Sequence, residues 1–126
     1  MNTKSLSLLA VLFFLGIGSS FAQQAFSIKI ESHKDRIRMT CTEGCAWEQL
    51  EFNLSTKSQA IDEYGMTSVK SASSIKSDDL ADFLFVIERK SGGLHMKGVE
   101  GTQWTDTDIK CPLENCIFVL GSSGIN

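Results

Sequence analysis

Phe26-Ser-Ile-Lys-Ile-Glu31 and Phe83-Leu-Phe-Val-Ile-Glu88 lie 57 residues apart, and their likeness decides the fold. The same displacement, without a gap, pairs Met39 with Met96, Glu43-Gly44 with Glu100-Gly101, and Trp47 with Trp104. Over the 29 paired positions (26–54 with 83–111) seven are identical, where random pairing at average residue usage gives about two. Three further pairs stay apolar: Ile28 with Phe85, Ile37 with Leu94, and Phe52 with Ile109. The chain therefore carries an internal repeat, and the repeat frames every other reading.

Within each copy the hydrophobic period is 2. Phe26, Ile28 and Ile30 alternate with Ser27, Lys29 and Glu31, as a strand with one buried face requires. Ile37, Met39 and Cys41 alternate with Arg36, Arg38 and Thr40, and Leu50, Phe52 and Leu54 with Glu51 and Asn53. The second copy follows with Phe83–Ile87, Leu94-x-Met96 and Ile109-x-Cys111. Its first strand is apolar at Leu84 and Val86 as well, which suits a strand covered on both faces. Turn residues fall between strands at His33-Lys34-Asp35, at Ser91-Gly92-Gly93, and at the Glu-Gly before each tryptophan. Gln59–Asp62 and Cys116–Leu120 read as the last strand of each copy.

Helical periodicity is missing. Ser77-Asp-Asp-Leu-Ala-Asp82 has room for one turn before Phe83, and Lys70–Lys76 is a low-complexity join. One copy of roughly 45 residues is too small to bury a core alone. The expectation is a single all-β domain of two pseudo-symmetric four-stranded repeats, about 26–69 and 83–126, sharing one core. Its architecture would be a sandwich or a rolled barrel.

Residues 1–22 read as a signal peptide. Lys4 supplies the positive charge, Leu6–Ile17 the apolar core and Ser20-Phe-Ala22 the small-x-small cleavage site. The apolar run is too short for a membrane span. Cleavage would leave a single β domain, 23–126, with 11 basic residues (12 less Lys4) against 15 acidic ones, a net −4. With no basic block, nucleic acid is an unsuitable partner. All four cysteines (Cys41, Cys45, Cys111, Cys116) lie in this part, and an even count in a small exported domain reads as two disulfides. A four-cysteine zinc site is the rival, although structural zinc ligands sit at tighter spacing. Each cysteine cluster is missing from the other copy, so the simpler pairing is local: Cys41 with Cys45, and Cys111 with Cys116. The expected location is the periplasm or the medium.

Glu43-Gly-Cys-Ala-Trp47 with Gln59-Ala-Ile-Asp-Glu-Tyr-Gly-Met66, and later Leu80–Phe85 with Glu100-Gly-Thr-Gln-Trp104, resembles small exported bacterial proteins of unknown function. The resemblance implies an exported β-repeat and carries over no catalytic residue. Cys116–Ile125 departs from it by not reproducing Asp-Glu-Tyr-Gly-Met.

Trp47 and Trp104, at equivalent positions, are stacking platforms for a sugar or peptide on one reading and shared core on the other. Asp62-Glu63-Tyr64-Gly65-Met66 breaks the alternation and holds the only tyrosine. It reads either as a binding loop or as a tight turn with Gly65 at positive φ. Asp62, Glu63, Tyr64, Trp47 and Trp104 are thus the candidate binding surface. Glu43 and Glu100 suit acid–base hydrolysis on one reading and bonding within their own turns on the other. His33 and His95 lack any nucleophile or metal motif around them. Asp106, Asp108 and the acidic run Asp78-Asp79-x-x-Asp82 read as solvated loop carboxylates, without the glycine and distal glutamate of a calcium loop. No catalytic residue, cofactor or metal is expected. The reading is a non-enzymatic exported domain that binds an unknown protein or glycan. A small hydrolase using Glu43/Glu100 or Asp106/Asp108, or a secreted enzyme inhibitor, is the alternative.

Overall fold

The computed structural model describes residues 24–70, 77–112 and 115–126. The leader 1–22 and residues 71–76 of the join lie outside the described residues. Ten strands form: β1 Ser27–His33, β2 Arg36–Glu43, β3 Gln49–Asn53, β4 Gln59–Asp62, β5 Gly65–Thr67, β6 Leu84–Lys90, β7 Gly93–Glu100, β8 Asp106–Lys110, β9 Cys116–Gly121 and β10 Gly124–Ile125. They make two antiparallel sheets of five, ordered β10-β9-β1-β2-β3 and β5-β4-β6-β7-β8. Neither sheet closes on itself, so the architecture is an open sandwich and not a rolled barrel.

The expected four strands per repeat need correction. Each half contributes five, because short strands β5 and β10 turn back on β4 and β9. Each sheet draws on both halves: β4 pairs with β6, and β9 with β1.

Strands β6, β7 and β8 have the bounds of β1, β2 and β3 displaced by 57 residues. Both β1–β2 and β6–β7 are irregular after their first pair, Ser27 with Glu43 and Leu84 with Glu100. Past the next loop the displacement becomes 59: Asp62 pairs with Gly65 as Gly121 pairs with Gly124, and both second glycines have positive φ, 129° and 124°. The segment that fails to repeat Asp-Glu-Tyr-Gly-Met in sequence forms the same hairpin.

The alternation read from the sequence places Ile28, Ile30, Ile37, Met39, Phe118 and Leu120 on one inner face, and Ile61, Phe85, Ile87, Leu94 and Met96 on the other. Phe26 stacks on Phe83 with ring centroids 4.1 Å apart, and Phe83 on Phe85 at 6.0 Å. Farther along the same two central strands, Arg89 Nη2 donates to Ser32 Oγ at 3.1 Å and Nε to Leu54 O at 2.9 Å. Both Phe26–Phe83 and Ser32–Arg89 are pairs of residues 57 apart.

Cys41 is bonded to Cys45, and Cys111 to Cys116. In the second half the positions of Cys41 and Cys45 are held by Gly98 and Thr102. A Cβ on Gly98 would collide with the Thr102 hydroxyl, which instead donates to Trp104 O at 2.7 Å. The turn thus closes there without a bridge. Replacing Cys41 and Cys45 together by serine is accordingly expected to cost only about 1–3 kcal/mol. Urea unfolding should keep one transition; loss of the folded state would show that the first-half turn depends on its disulfide.

Candidate functional site

Of the five residues read as a candidate binding surface, Trp47 and Asp62 are in contact and only Tyr64 is exposed. Trp47 and Trp104 are half-buried and pack against the core. Their indoles are spent on backbone: Trp47 Nε1 donates to Asp62 O at 3.1 Å, and Trp104 Nε1 to Gly121 O at 2.9 Å. Trp104 also lies 6.2 Å from Phe85, tilted by 57°. Each tryptophan fastens the loop after the bulged strand onto the hairpin of the facing sheet. Beside it, Ala46 N donates to Glu63 O and Gln103 N to Ser122 O, both at 2.8 Å.

Asp62 and Glu63 are buried, a correction to the surface reading. Asp62 Oδ1 accepts from the N–H of Tyr64 at 2.8 Å and of Gly65 at 3.0 Å, closing its own hairpin. Glu63 Oε1 accepts from Phe83 N at 3.1 Å. In the other half Ser122 Oγ does the same for Phe26 N at 3.2 Å. Of the segment's three named residues only Tyr64 is exposed. Asp62–Met66 is a tight turn, with Gly65 at positive φ.

Glu43 and Glu100 are exposed at the ends of β2 and β7, in different sheets. Asp106 and Asp108 are on strand β8, not in a loop. They flank His95 on the outer face: Asp108 Oδ1 is 2.6 Å from Nδ1, and Asp106 Oδ1 is 3.1 Å from Nε2. His95 is directly opposite Asp108 in the ladder, as Arg38 is opposite Glu51, where Arg38 Nε meets Oε2 at 3.1 Å. Sequence reasoning missed this cross-strand pairing. The 57-residue displacement together with the strand alternation contained it. His33 is exposed, with Nδ1 2.6 Å from Asn115 Oδ1. Among the described residues no group of three or more histidine, cysteine or acidic side chains is arranged for a metal ion.

The feature that sequence reasoning did not reach is a groove of about 470 Å³ on the outer face of the second sheet. Val69, Val86, Val99 and Gly98 line it, with Ser58, Glu88 and Lys97. Val69 is 52% exposed and Val99 41%. On the first sheet the positions of Val86 and Val99 are taken by Lys29 and Thr42. Thr42 sits at the irregularity in its strand and donates through Oγ1 to Ser27 O at 3.2 Å. Val99 occupies the matching place without a hydroxyl to offer.

No family model matches the chain, and neither the curated proteins nor the solved structures include one that matches it. Among the described residues no helix is long and apolar enough to cross a membrane.

Proposed function

We propose that the chain is an exported, non-enzymatic binding domain. It is built from two copies of one unit that exchange their fourth and fifth strands, and it takes a protein partner in the valine groove of the second sheet. The two disulfides suit an oxidising compartment, and the leader-like residues 1–22 and the resemblance to exported bacterial β-repeat proteins point the same way.

The observation that carries the reading is the contrast at paired positions. Structural needs are met alike in both halves, by Phe26 and Phe83, by Gly44 and Gly101, and by Trp47 and Trp104. Where the first half shows Lys29 and Thr42 to solvent, the second shows Val86 and Val99 around a concave surface. Exposed apolar side chains grouped in a hollow suit another protein's apolar side chains better than a glycan, which needs free aromatic faces. Both tryptophans are instead half-buried against the core and donate to backbone carbonyls.

Val86→Lys tests this directly. The substitution copies Lys29 of β1, and its one added cost is Lys97 directly opposite, about 0.2–1 kcal/mol, which leaves the fold intact. Capture of a partner from the envelope fraction of the source cell should fall by about tenfold or more. Equal capture by Val86→Lys and the parent would overturn the groove as the site.

A further inference from the structure

Asn53, Leu54 and Ser55 form a sequence with a chemistry of its own. An asparagine followed two places on by serine or threonine, with no proline between, is the acceptor for an N-linked glycan in an exported protein. Asn115 and Asn126, the other asparagines after the leader, do not fit that pattern. Glu51, two places before Asn53, adds the acidic residue that transferases of bacterial envelopes select at that position. The equivalent stretch of the second half, Asp108-Ile-Lys-Cys-Pro112, holds neither an asparagine nor a hydroxyl.

The fold presents these side chains as the reaction needs them. Asn53 is the last residue of the edge strand β3, and the exposed link 55–58 follows it. Leu54 is 1% exposed, and its N–H donates to Asp35 O at 2.7 Å. Leu54 is thus turned into the core, and Asn53 and Ser55 on either side of it face solvent. Among the described residues, neither the Asn53 carboxamide nor the Ser55 hydroxyl has a hydrogen-bond partner. A sugar on Asn53 Nδ2 therefore displaces no bond of the fold.

We propose that Asn53 carries an N-linked glycan. The donor is an oligosaccharide on a membrane lipid diphosphate, and a transferase of the envelope hands it over. Asn53 Nδ2 attacks the anomeric carbon of the first sugar while the bond from that carbon to the phosphate oxygen breaks. The lipid diphosphate leaves with the electron pair, and Nδ2 gives up one proton. Nothing is oxidised or reduced, and the side chain stays a neutral amide. Glycosylation here requires the export argued above but not the valine groove, which lies on the other sheet.

Protein purified from the envelope or medium of the source cell should be heavier than residues 23–126 by a set of sugar residues, and peptide mapping should find them on Asn53. Asn53→Gln and Ser55→Ala should each return to the bare mass, while Ser55→Thr should keep the glycan. Neither side chain bonds to the fold, so all three variants, made without the transferase, should unfold at the parental urea midpoint. A bare mass beginning at Gln23 would overturn the acceptor site alone. A bare mass with 1–22 still attached would overturn export along with it. Sugar that persists in Asn53→Gln would lie elsewhere on the chain and would equally overturn the proposal.

Discussion

Trp47→Ala and Trp104→Ala are each expected to lower the stability of one cooperative unit by about 3 kcal/mol. That is the lower end of the range for removing a tryptophan, because both rings are only half-buried. Each change removes the ring that wedges a loop onto the facing sheet and the N–H that holds Asp62 O or Gly121 O. For a domain of this size the loss is a large share of the total stability, worth about 10–20 °C in melting midpoint. Because the two tryptophans make matching bonds, the two losses should be similar, and calorimetry should show one transition in each variant. Two transitions, or a loss confined to one variant, would show that the halves unfold separately. Parental melting in both would return the tryptophans to the role of exposed stacking platforms.

The inner faces were legible because a buried strand face leaves a period-2 trace, which Phe26–Ile30, Ile37–Cys41 and Leu50–Leu54 keep in the first half and Leu94-x-Met96 and Ile109-x-Cys111 in the second. The strand exchange was not legible. Pairing β4 with β1 or with β6 turns the same side chains inward, so alternation cannot choose between them. β10 escaped notice for a different reason. Gly121-Ser-Ser-Gly124 and Asp62-Glu-Tyr-Gly65 share only the glycine whose backbone must take positive φ, and a two-residue change of displacement hides even that. At the candidate site, Asp62 and Glu63 look like surface residues because carboxylates usually are. Their burial depends on backbone N–H groups supplied by the turn and, for Glu63, by Phe83, twenty positions away. The groove needs Val69, Val86 and Val99 brought together from three segments, and only Val86 stood out as an apolar residue on an outer face.

The glycines of the two Glu-Gly turns are the other positions where a single methyl group should matter most. Gly44 has φ 91° and Gly101 φ 71°, and each packs against backbone entering a central strand. A Cβ on Gly44 would lie 2.7 Å from Ala25 O and 3.0 Å from Ala81 Cβ. On Gly101 it would overlap Asp82 O and come within 2.9 Å of Phe83 Cα. Gly92 separates the two costs, because its φ is 77° but nothing lies within 4 Å of the added atom. Gly92→Ala should therefore cost only the left-handed backbone penalty, about 1–2 kcal/mol. Gly101→Ala must also push the backbone at Asp82 aside, and with it Phe83, the ring stacked on Phe26. Displacing packed main chain brings its total to about 3 kcal/mol or more. Gly44→Ala should fall between them, since its nearest clash is milder. Urea midpoints at constant m-value would rank the three variants. Equal costs for Gly92→Ala and Gly101→Ala would mean that the turn stands clear of Asp82, and that Trp104 is seated without the close approach described.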